Sequence, residues 1–234
     1  MTPAWIVIAI LLLHTGCAET EGIQGSLHSH SSHLAYLYDS TNVSEKQPAA
    51  IRVSSVTVDD VLPPSTTVRK ESGYFLPFLI VNVWKYEYES QLGRAQISND
   101  YKAFFQESLI EELKRSGKYR YSESDSEIEL DLKIRSVTMT APLRKTGNLL
   151  FLLYAVSFNQ TYYAGPVDVR ITGEAVLRKK GSELYRQEVQ GRGRAGMLQV
   201  KNVKLGDYTI TMIEALSAAI KDLNERIVTE VNKN

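Results

Sequence analysis

The chain has 234 residues, of which about 185 remain once a leader and a tether are set aside, a length that suits one domain better than two. With 43% hydrophobic and 23% charged residues, a sizeable core is within reach. Basic and acidic residues balance at 27 each, which leaves no electrostatic footprint for nucleic acid or for an anionic membrane surface.

Residues 5–13 are uninterruptedly apolar. The run is too short for a membrane-spanning helix, which needs roughly 20 residues, but it suits the core of a signal peptide over residues 1–16. Thr15 and Gly16 then precede Cys17, the one cysteine, so no intramolecular disulfide can form. Small residues directly before a cysteine at the end of such a core resemble the bacterial lipobox, with His14 standing where that motif carries Leu and no Lys or Arg before the core. The resemblance implies cleavage before Cys17 and lipidation there. Ala18 after the cysteine implies sorting to the outer membrane, facing the periplasm. An ordinary secretory leader with an incidental Cys17 is the alternative. Several acyl chains anchor a protein almost permanently, at roughly 0.8 kcal/mol per buried CH₂. Residues 17–50 then read as the lipidated cysteine and a flexible tether rich in Gly, Ser, Thr, His and Asn, able to reach roughly 30 Å.

His28, His30 and His33 form an H-x-H-x-x-H string within that tether. Imidazoles at such spacing can ligate Zn or Cu, but a flexible segment offers nothing to orient the rings, and no metal site is expected. Residues 51–234 hold neither His nor Cys. Serine–histidine and cysteine–histidine catalysis are therefore unavailable to the domain. Carboxylate-only chemistry stays open, with Asp59-Asp60 and the acidic stretch 123–131 as its candidates, although adjacent acids at strand ends are more often solvated turn residues.

Residues 51–58 are β-branched and predict a first strand with a phase shift. After the Pro63-Pro64 loop, residues 74–88 read as extended and strongly apolar, and Pro77 excludes a central strand position there. Tyr101, Phe105, Leu109 and Leu113 define one helix, with Asp100 among its capping residues and Gly117 placed to close it. Tyr119 and Tyr121 predict a short strand. Ile128, Leu130, Leu132 and Ile134 alternate with charged residues as a half-buried strand, and the phase flips at Val137 and Met139 as a bulge would make it. Val167, Val169 and Ile171 begin another alternation. Lys179-Lys180-Gly181-Ser182 predicts a hairpin turn into a strand over 183–190. A closing helix starts near Asp207, with a narrow seam of Ile213, Leu216, Ile220, Leu223 and Ile227. The expected fold is α+β: a mostly antiparallel sheet of about four to five strands with two amphipathic helices on one face, forming a single domain over 51–234.

Two features stand apart. Gly191, Gly193 and Gly196 match G-x-G-x-x-G, yet no helix start follows, so small residues on a twisted strand are the better reading. The run 149–158 is apolar where a polar connector belongs. It reads as a buried connector, a membrane-dipping tip or a hydrophobic surface for a partner or lipid, and Phe75 to Trp84 could meet it. Phe75, Phe78, Leu150, Phe151 and Leu153 are the candidate contact residues.

With the lipidated cysteine, the strand ending in acids, the helix closing at Gly117, the hairpin sheet and the terminal helix in view, residues 51–231 resemble small α/β lipoproteins of the bacterial envelope. These include the YajG-like lipoproteins, the auxiliary lipoproteins of ABC transporters and the LptE-like lipopolysaccharide-assembly lipoproteins. The resemblance implies a non-enzymatic, lipid-anchored protein, a binding or assembly and transport accessory factor at the outer membrane. Its partners would be the membrane and an envelope protein or lipid, with no cofactor and no nucleic acid. The alternative is a carboxylate-dependent hydrolase of envelope polysaccharide.

Overall fold

The chain is built around one 25-residue strand that serves two sheet regions. The structure, a computed structural model, describes residues 19–38, 46–77, 81–152, 155–196, 198–200 and 205–233. Elements run in the order α1 (residues 19–28), β1 (Gln47–Val58), β2 (Thr67–Pro77), β3 (Val81–Gln91), a 3-10 turn at Arg94–Gln96, α2 (Tyr101–Ser116), β4 (Tyr119–Tyr121), β5 (Ile128–Leu152), β6 (Ala155–Ala164), β7 (Val167–Lys179), β8 (Ser182–Ala195), β9 (Leu198–Val200) and α3 (Leu205–Lys233). The fold is α+β, with three helices and a mixed sheet of nine strands among the described residues. Four to five strands and two helices were too few. The described part of 149–158, for which a buried connector was one reading, belongs to strands β5 and β6, and part of the expected tether is a helix.

The first half of β5 pairs with β1 in parallel and with β7 antiparallel, and β4 and β8 complete this base. The second half exchanges both neighbours, pairing with β3 and β6, which β2 and β9 flank. A register irregularity between Ile134 and Ser136 marks the expected phase flip: Ile128 to Ile134 point inward on even positions, Ala141 and Leu143 on odd ones. A second irregularity, between Val53 and Ser55 of β1, matches the predicted shift in that strand. At the turn from β7 to β8, Lys180 and Gly181 both adopt positive φ, 50° and 83°, which suits a tight two-residue hairpin and favours glycine at the second position.

Helix α2 is legible end to end. Asp100 accepts from the backbone N–H groups of Lys102 and Ala103, and the Gly117 N–H donates to the Leu113 carbonyl. Helix α3 is no narrow seam. Besides the five predicted residues it buries Tyr208, Met212, Ala215, Ala219, Val228 and others, because it is packed against β7, β8 and α2. Gly191 and Gly193 let its backbone close on β8, since a Cβ on either would overlap the Ala219 or Ala215 carbonyl oxygen.

Residues 19–38 are folded onto the domain, which corrects the flexible tether within the described part of 17–50. Ile23, Leu27 and Leu34 join the core, and each fully buried side chain of this size contributes roughly 1.5–3 kcal/mol. Gln24 donates to the Thr66 carbonyl, Thr209 to the Leu27 carbonyl, and Ser32 bridges to Ile97. Tyr36 donates to the Glu112 carboxylate at 2.9 Å, and burial, with that carboxylate beside it, pushes the phenol well above its usual range.

Candidate functional site

The second half of β5 belongs to an arm made of two hairpins. β2 and β3 form one, β5 and β6 the other, and both turns lie at the same end because Val81 faces Leu150 while Leu152 faces Ala155. Residues directly opposite in an antiparallel ladder share a face. One face therefore carries the cross-strand rows Phe75, Trp84, Gly147, Gln160 and, nearer the tip, Asn82, Leu149, Phe158, with Val156 beyond them. Trp84 and Phe158 lie with ring centroids 5.7 Å apart, and the indole lies across Gly147, where a Cβ would collide with it. This face continues the core: Tyr88, Leu143 and Ala164 of the same strands are buried where the arm joins the base.

Toward the tip the cover ends. Phe158 and Val156 are both 63% exposed. On the opposite face Leu76 and Val83, also exposed, sit among Thr146, Asn148, Ser157 and Asn159. No Asp, Glu, Lys or Arg occurs in 74–84 or 146–161. From Thr146 to Leu152 that charge-free zone measures about 20 Å along the strand at roughly 3.3 Å per residue.

Charge returns at a sharp boundary. Lys85, Glu87 and Arg144 form an ion-paired group on the polar face, Glu87 accepting from Lys85 at 2.7 Å and Arg144 at 3.0 Å. On the aromatic face Lys145 pairs with Glu19 of α1, both largely shielded, beside the rings of Tyr86 and Tyr162. At the changeover between base and arm, Glu89 accepts from the Ala141 N–H at 2.7 Å. Burial, against that hydrogen bond, raises its carboxyl above the ordinary range, with Glu71 adding to the rise.

Among the predicted contact residues, three lie in the described ladder of the arm. Phe75 faces Trp84, Leu150 faces Val81 and Ser157, and Phe151 faces Val156. Phe75 and Leu150 are half-buried, on opposite faces of the arm. Phe78, Leu153 and Cys17 lie outside the described residues. The run 149–158 is therefore no buried connector over its described part, since its exposed side chains belong to a hairpin. Trp84, Leu149, Val156 and Phe158 were missed as individual contacts. Reading 81–84, 146–152 and 155–161 as alternating strands would have singled them out.

Several of the remaining candidates have partners elsewhere. Asp60 pairs with Lys102 at 3.0 Å and Arg94 at 3.2 Å, and Lys102, ahead of Arg94, holds its carboxyl below the usual range. Glu129 pairs with Arg52, and Asp131 with Arg178 and the Ser55 hydroxyl. His28 accepts from Gln96 at 2.9 Å, while His30 contacts Ser29 and His33 is exposed. Among the described residues no group of three His, Cys, Asp or Glu is placed to hold a metal ion. Gly191 and Gly193 lie under α3 in the middle of β8, not between a strand and a helix N-terminus.

No family model matches the chain, and no curated protein matches it. Among solved structures it is similar to protein XCC0632 from Xanthomonas campestris, of the DUF330 family, at 9% identity over 81% of this chain and 90% of that one, with a TM-score of 0.42. A likeness of that size carries no argument about function.

Proposed function

We propose that the chain is a non-enzymatic, lipid-anchored protein of the bacterial cell envelope that acts at the outer membrane through its two-hairpin arm. The observation that carries this reading is the charge-free zone of the arm, where aromatic side chains stay exposed although a soluble surface would replace them with charge. The lipobox-like Thr15-Gly16-Cys17 supports the anchor. The Glu19–Lys145 ion pair ties the chain two residues beyond Cys17 to the aromatic face of that arm. A polysaccharide hydrolase would need two carboxylates facing each other across a groove, some 5–10 Å apart. Asp60, Glu129 and Asp131 are each held by basic partners instead, which favours the binding reading.

Labelling of growing cells with palmitate, followed by separation of inner and outer membranes, tests the anchor. Wild type should carry label and sediment with the outer membrane. Cys17→Ser should lose the label. An unlabelled wild-type chain in the soluble fraction would overturn the proposal.

A further inference from the structure

We propose that copies of this chain assemble edge to edge in the membrane, each supplying the four strands β2–β3–β5–β6 to one transmembrane β-barrel. The proposal rests on the envelope placement above and adds a partner, a second copy, together with an activity, a water-filled pore.

The arm has the pattern of a barrel segment. Its aromatic face presents Phe75, Trp84, Leu149, Val156 and Phe158, side chains suited to lipid, with Asn82 and Gln160 in the same rows. Its other face presents Thr146, Asn148, Ser157 and Asn159 among aliphatic residues, suited to a lumen. Tilted as barrel strands are, by about 35–45°, the charge-free zone of about 20 Å along the strand spans about 15 Å of the roughly 25 Å apolar band of such barrels, before the turns are counted. Tyr86 and Tyr162 sit at its edge, where aromatic girdles occur. No helix of the described residues is long and apolar enough to cross a membrane.

The edges supply the reason for assembly. β2 is an edge strand, and β9 pairs β6 only at Tyr162–Ala164, leaving residues 155–161 without an outer neighbour among the described residues. Open edges are not tolerated in hydrocarbon, because no water satisfies their N–H and C=O groups. A lone arm could not enter a bilayer, whereas a ring could. β2 runs toward the tip and β6 away from it, so β6 of one copy meets β2 of the next antiparallel. Four strands per copy keep that alternation for any copy number; two copies would close only an eight-stranded barrel filled by its own side chains, whereas four copies reach the sixteen strands that leave an aqueous channel. The anchor fits the same geometry. Glu19 is fixed on that aromatic face at the last row of charge, two residues along the chain from the proposed lipidation site.

The test uses the full chain, produced with its leader, extracted from membranes in mild detergent and added to a planar bilayer in KCl. An oligomer that dissociates on boiling, together with stepwise conductance, is expected. Phe158→Lys and Asn159→Lys then separate the faces, since both positions are exposed neighbours on one strand. Phe158→Lys should abolish the oligomer and the conductance. Asn159→Lys should keep both and shift the reversal potential in a KCl gradient toward anion selectivity. A monomer, an oligomer without conductance, or equal behaviour of the two variants would overturn the barrel. The intact mass of the same preparation reports Cys17 separately. A lipidated monomer sinks the barrel alone, and an unlipidated conducting oligomer sinks the anchor alone.

Discussion

The two halves of β5 lie in one continuous strand yet obey different rules. From Ile128 to Ile134 its inward residues are buried under α2 and α3, its outward residues are charged, and both neighbours belong to the base. From Thr146 to Leu152 the charges are gone, and Phe158 and Val156 of the neighbouring strand are exposed. A half-covered antiparallel sheet in water keeps a polar outer face. The base does so with charged residues, whereas the arm's polar face has only uncharged Thr, Asn and Ser among aliphatic residues, and Phe158 and Val156 stay exposed on its other face. The proposed membrane role of the arm rests on this contrast.

Replacement of matching leucines is the strongest way to break this comparison. Leu130→Ala, at a fully buried position, should destabilise the fold by about 2–5 kcal/mol in urea denaturation. Leu149→Ala, half-buried on the same face of the arm, should cost less than about 1.5 kcal/mol in the isolated chain. Equal losses would mean that the arm is as covered as the base.

Glycines give a second and smaller contrast. Gly193→Val pushes against the α3 backbone at Ala215 and should cost about 1–3 kcal/mol, near 2–4 °C of Tm per kcal/mol in a chain of this size. Gly147→Ala meets only the Trp84 ring, which can turn aside into the uncovered face, so its Tm should fall by less. Cap removal comes next: Asp100→Ala should cost about 0.5–2 kcal/mol, read by the same denaturation.

The smallest expected effect lies at the changeover. The folded-state pKa of Glu89 is raised above the unfolded one, so the native state holds the proton more tightly. Its contribution is fully present below the unfolded value and is lost as pH rises through the folded value. Glu89→Gln keeps an acceptor for the Ala141 N–H and should flatten this slope above about pH 4.5. An unchanged slope of stability against pH would assign that dependence to other groups.

Local features were legible because their causes are local. The α2 caps, the Lys180-Gly181 turn, the short Tyr119–Tyr121 strand and both phase shifts each follow from a few neighbouring side chains. The edge position of β2 followed from Pro77, which cannot donate to a central ladder. Helix α1 was not legible. Its apolar content is little more than Ile23 and Leu27, and partners far along the chain, at Thr66, Gln96, Lys145 and Thr209, hold it in place. The breadth of the buried face of α3 was missed for the same reason, since it is set by the number of elements packed around it.

For the arm, the sequence by itself determined that 74–84 and 146–161 are apolar, free of charge and bounded by Lys85 and Lys145. Only the tertiary structure decided that they are two hairpins turning at one end, joined through Trp84 opposite Gly147, with Phe158 and Val156 left uncovered. Periodicity states which side chains share a face, because it depends on the backbone repeat alone. Whether that face meets a helix, water or another surface depends on contacts between distant segments, which no local pattern encodes.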